Sequence, residues 1–112
     1  MLTRPKKIRR VSGLDAHLQE IMDDLRERVN EWCSRNPTRP FAARDLVGHG
    51  HNWRGTPLWA VYTKHSGKPH EKRVKQAGRD VGWLLLRVVN DDQRRTFRPE
   101  HHYVMHYRPL PS

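Results

Sequence analysis

The sequence predicts a mainly α-helical chain with a small antiparallel β-hairpin near its end. Apolar residues recur at helical spacing from Leu14 to Cys33 and again from Ala77 to Val89. Tyr103, Met105 and Tyr107 alternate along a second, strand-like stretch that follows Thr96 and Phe97. Gly13, Pro37, Gly48, Pro57 and Pro69 punctuate the chain between these segments.

In order along the chain, residues Met1 to Gly13 hold five cations, no acid and few apolar side chains. Such a segment cannot bury enough surface to offset its ordering entropy, so it reads as a disordered basic arm. It is either a solvated tail or an arm that lies along phosphates or in a minor groove. A helix follows from Leu14 to Cys33, with Leu14, Leu18, Ile21, Met22, Leu25, Val29, Trp32 and Cys33 on one stripe. Ser12 is placed to cap it, Asp15 suits the positive end of its dipole, and Asn36-Pro37 ends it. The stripe reads as one wall of a core or, being close to a heptad, as a homodimer seam through the first helix.

Thr38 to Phe41 forms an extended approach to a short helix, Ala42 to Val47, stopped by Gly48. GHGHNWRG is a loop. Thr56 is placed to cap a helix running to His65, with Pro57 at its first position and Leu58, Trp59, Val61 and Tyr62 as its apolar set. Ser66 to Gln76 is a basic connection into the helix Ala77 to Val89, with room for the helix to begin a turn early within it. Asn90 to Gln93 turn the chain, and Arg94 to Arg98 and Tyr103 to Arg108 form the hairpin strands. Pro109 to Ser112 is a tail, since proline lacks a ladder donor. The expected organisation is an arm at 1–13, a domain at 14–108 and a tail at 109–112.

The helix Ala77 to Val89 raises a functional question. Ala77, Val81, Leu84, Leu85 and Val88 form its core stripe, while Arg79, Trp83, Leu86 and Arg87 lie off it. It also carries Gly78 and Gly82, and each glycine costs a helix about 1 kcal/mol relative to alanine. The two glycines permit close approach of a neighbouring helix or of a phosphate. Trp83 and Leu86 fit a core or a protein contact better than a polar groove.

Charge narrows the partner. The chain of 112 residues has a net charge of +10, and only 35% of it is hydrophobic, which suits one modest core. Residues 1–13 contribute +5, residues 14–35 contribute −3 and residues 36–112 contribute +8. Such a chain attracts polyanions, and its acidic first helix should face away from them. No apolar run approaches the roughly 18 residues of a membrane span, and no apolar stretch follows the basic N-terminus as a secretory leader requires. Cys33 is the single cysteine, so no intramolecular disulfide forms and a reducing, cytoplasmic setting is expected.

Taken in order, the short helix PFAARDLV, the helix AGRDVGWLLLRVV and the hairpin RTFRPEHHYVMHYR resemble the winged helix-turn-helix family. The resemblance spans about residues 14 to 108, with weak motifs, and the chain differs by inserting about thirty residues between the first two of these elements. It implies a winged helix-turn-helix fold that binds double-stranded DNA sequence-specifically, as a small transcriptional regulator. Lys75, Gln76 and Arg79 would then face the major groove, with Arg87 farther along, and Lys72 and Arg73 would bind nucleic acid from the basic connection. Arg94, Arg95 and Arg98 would serve from the wing, and Lys6, Lys7, Arg9 and Arg10 from the arm.

Other chemistries have less support. His49, His51, His101, His102 and His106 suggest a metal, but the chain has no CxxC or HExxH spacing, and no metal or other cofactor is expected. Asp45 is the only acid close in sequence to His49 and His51, and no phosphate loop or activated nucleophile appears, so an enzyme is not expected. Two alternatives remain. One is a protein-interaction factor of phage or mobile-element type that uses Trp53, Trp59 and Trp83, although core packing is the favoured role of the last two. The other is an RNA-binding protein stacking unpaired bases on Trp53 and Tyr103.

Overall fold

The computed structural model describes residues 1–48 and 52–111. His49 and His51 lie outside the described residues. Four helices and a hairpin follow in the order α1 (Leu18–Arg35), α2 (Ala43–Val47), α3 (Trp59–Thr63), α4 (His70–Asp91), β1 (Phe97–His101) and β2 (Met105–Pro109). The chain is thus mainly helical with one two-stranded antiparallel sheet.

The first helix buries Ile21, Met22, Leu25, Val29 and Cys33 against α4 and α2. The stripe also readable as a dimer seam is therefore core within the chain. The helix starts later than Leu14, and Ser12 does not cap it. Gly13 takes φ +79° and turns the chain, while Leu14, only 1% exposed, anchors a separate turn by accepting a bond from the His17 N–H. The end falls where Asn36-Pro37 places it: the backbone N–H and the side-chain amide of Asn36 both donate to the Trp32 carbonyl.

Phe41 joins the helices to the hairpin. Its N–H donates to the Tyr107 carbonyl at 2.9 Å and its carbonyl accepts from the Tyr107 N–H at 2.8 Å. Its ring, with no exposed surface, packs edge-on against Phe97 at 5.9 Å. On the other edge, Phe97 exchanges backbone bonds with Met1 and Thr3. The arm is thereby part of the fold rather than a free tail: Leu2 and Val11 are buried, because Leu2 pairs beside β1 and both join the core.

The short α2 is fixed by Asp45, whose carboxylate accepts the Ala42 N–H at 2.8 Å, and it ends at Gly48 with φ +63°. The next helix begins at Trp59, not near Thr56, because the Thr56 hydroxyl donates back to the Trp53 carbonyl instead of capping.

The last helix starts at His70, seven residues before Ala77, and takes in most of the expected basic connection. Pro69 breaks the chain just before it, and Glu71 suits its positive end. Its first turns pack on α3. The Tyr62 hydroxyl and His70 Nδ1 are 3.1 Å apart, and Asp80 accepts from Lys64 at 2.9 Å and lies 2.8 Å from His65 Nε2.

Both strands lie two or three residues later than the sequence suggests at their start. Pro99 to His101 continues β1 past the expected end at Arg98, and Pro109 is buried at the end of β2, opposite Phe97. Proline is tolerated there because the N–H and carbonyl of Phe97 point to the arm, so that pair needs no donor from residue 109.

Candidate nucleic-acid interface

Two depressions meet along the exposed side of α4. The first, about 540 Å³, lies between α2, α4 and the hairpin, and Arg44, Lys75 and Arg79 line it. The second, about 460 Å³, lies between the arm, α4 and the hairpin, with Lys6, Lys7, Arg9, Arg79 and His101 around it. They share Arg79, Gly82, Met105 and Tyr107. No aspartate or glutamate lines either one.

Helix phase explains the convergence. Ala77, Val81, Leu84, Leu85 and Val88 are buried, which turns Lys72, Lys75, Gly78 and Arg79 outward. Gln76 is half-buried beside them. Among the described residues, none of Lys6, Lys7, Arg9, Arg44, Lys72, Lys75 and Arg79 is held in an ion pair. Arg9 instead lies over the Trp83 ring, 4.7 Å from its centre. This cation–π contact pins the arm to α4.

Other sequence candidates are held elsewhere. Arg73 sits over the Tyr62 ring and donates to the Ser66 carbonyl, so it braces the α3–α4 corner. Arg10 pairs with Asp15, and Arg87 lies 4.0 Å from Asp91 in a separate depression beside Ile8 to Val11. Arg95 donates to Asn30 at 2.6 Å, and with Arg94 it lines another hollow next to Cys33 and Pro37. Arg98 is bound to Glu100 at 2.8 Å. The hairpin arginines are therefore not gathered with Arg79.

Arg44 is the residue that sequence reading missed. The available signal was its phase: it points outward from a helix whose Val47 is buried and whose Asp45 is occupied as the cap. His101 likewise reaches the rim from β1.

The tryptophans change the rival readings. Trp53 is 2% exposed and its indole donates to the Val47 carbonyl at 2.8 Å, so it offers no free ring to a base or a partner. Leu86 is buried, and Trp83 is half-buried under Arg9 rather than fully in the core. Trp59, also half-buried, stacks on Tyr62 at 4.9 Å. Tyr103, at the hairpin tip, is 94% exposed.

Several titratable groups are shifted by their surroundings. Hydrogen bonds from Arg108 and Arg98 hold the Glu100 carboxyl down at about 2. Burial pushes the Tyr107 phenol up to about 12 and raises the Cys33 thiol. Among the described residues, no three His, Cys, Asp or Glu side chains gather as metal ligands, and no helix is long and apolar enough to cross a membrane. Comparison with protein families, curated proteins and solved structures finds no match.

Proposed function

We propose that the chain binds double-stranded DNA through the open face of α4, reading sequence as a small transcriptional regulator of winged helix-turn-helix type. The observation that carries this reading is the gathering of Lys6, Lys7, Arg9, Arg44, Lys75 and Arg79 around two joined depressions that no acid lines. A row of cations held in no internal ion pair attracts phosphates and releases counterions when they bind. Lys72 to Arg79 spans about 10 Å of helix at 1.5 Å per residue. A B-DNA major groove about 12 Å wide admits such a helix, and arginine can pair bidentately with guanine. The exposed acids Glu20, Asp23, Glu27 and Glu31 of α1 line neither depression, which favours one orientation on a polyanion.

Duplex DNA is favoured over unpaired RNA because stacking needs accessible rings. Trp53 is buried and Trp83 is covered by Arg9, which leaves Tyr103 as the one largely exposed Phe, Tyr or Trp ring among the described residues.

The test compares two arginine variants on one duplex selected from a random pool. Arg79→Ala weakens binding by about 1–3 kcal/mol and relaxes base preference. Arg98→Ala, whose side chain is held by Glu100 and lines neither depression, changes affinity much less than Arg79→Ala does. Equal losses in the two variants, or none in Arg79→Ala, would count against this face.

A further inference from the structure

The groove between α2, α4 and the hairpin is more apolar than phosphate contact requires. Val47, Trp53, Val81, Leu85, Met105 and Tyr107 all line it. A hydrated phosphate backbone gains little from such walls. The volume of about 540 Å³ falls within the roughly 300–1,000 Å³ of small-molecule sites, which combine apolar walls with a few polar groups. Here the charged groups are Arg44, Lys75 and Arg79, with no acid to balance them.

Gly78 and Gly82 help to make this space. Neither has a positive φ, and a Cβ added at either position would meet nothing within 4 Å. Among the described residues, no turn and no neighbour therefore requires glycine there. Each nonetheless costs the helix about 1 kcal/mol relative to alanine. Both glycines line the groove, and a side chain at either would reduce its volume.

We propose that this groove binds an amphipathic organic anion, an aliphatic or aromatic carboxylate. Its apolar body lies against the half-buried Val74, Val104 and Met105, and its carboxylate pairs with Arg44, Lys75 or Arg79. Arginine recognises a carboxylate through two parallel hydrogen bonds, which gives the site a preference for that head group. A bound carboxylate neutralises cations assigned above to DNA, so ligand and duplex compete. That consequence alone rests on the DNA reading; the site itself does not.

The experiment uses the full chain and the fluorescent anion 8-anilinonaphthalene-1-sulfonate. Decanoate, kept below its micelle concentration, is the competitor, and decanol is its neutral counterpart. Saturable binding is expected, with decanoate displacing the probe at least about tenfold better than decanol. Gly82→Leu fills the groove and weakens decanoate about tenfold or more without lowering the thermal midpoint. Arg79→Ala weakens decanoate while leaving decanol unchanged, a readout that does not depend on the leucine variant. The proposal is overturned by no displacement, by equal displacement with decanol, or by decanoate affinity unchanged in both variants. A separate arm adds decanoate to a labelled duplex complex. Decanoate binding without duplex release removes the competition and leaves the site. Decanoate binding by a chain that binds no duplex contradicts the DNA reading alone.

Discussion

Trp53 lies in a glycine-rich segment, yet its ring is 2% exposed and its indole N–H is bonded to the Val47 carbonyl. Periodicity does not reveal such a residue, because a loop has no repeating face against which burial can be read. Arg95 was equally hidden, since its partner Asn30 lies sixty-five residues away. Lys75 and Arg79 were legible because helix phase alone turns them outward. Truncation of a buried tryptophan removes packing and leaves a cavity, so Trp53→Ala should cost about 3–5 kcal/mol of stability in a denaturant melt. A loss below about 1 kcal/mol would show that the ring is not core. Glu100 gives a pH test. Its carboxyl titrates at about 2 in the fold against an ordinary value of 4.5. A depressed folded value contributes stability that is present above about pH 4.5 and lost as the pH falls towards about 2. Thermal midpoints of Glu100→Gln should therefore fall less steeply than wild type across that window. Parallel curves would mean that the Arg108 and Arg98 bonds contribute nothing.

At the scale of elements, α4 carries both the strongest agreement with the sequence and an extension beyond it. Its apolar stripe marks the buried face, but the helix starts at His70, directly after Pro69, rather than at Ala77. The residues between are ordinary helix formers whose first turns are held by Tyr62 and by Arg73 bonding back to Ser66. The hairpin was legible as an alternation but not in its register. That register is set by Phe41 and the arm pairing on its two edges, which is information distant in sequence. Because Gly78 and Gly82 lie in open space, Gly78→Ala and Gly82→Ala should each raise unfolding free energy, by up to about 1 kcal/mol. Destabilisation in either variant would mean that the glycines serve a contact within the chain.

On the scale of the whole molecule, one hydrophobic cluster runs from Leu2 to Tyr107, so arm, helices and hairpin fold as parts of one core. Periodicity indicated the coarse fold class, while composition suggested an attraction to polyanions and a loose arm. Two buried side chains, Leu2 and Val11, and the Arg9–Trp83 contact were enough to reverse that. The consequence is that Lys6 and Lys7 are held beside Arg79 instead of being spread through solvent.

The most direct test of the account is fluorescence anisotropy of a labelled random-sequence DNA duplex titrated with the full chain across a salt series. If the six gathered cations each meet a phosphate, log affinity should fall against log salt with a slope of about −5. A slope near zero, or no binding at about 50 mM salt where phosphate contacts are strong, would contradict the claim that this face is built for a nucleic-acid backbone.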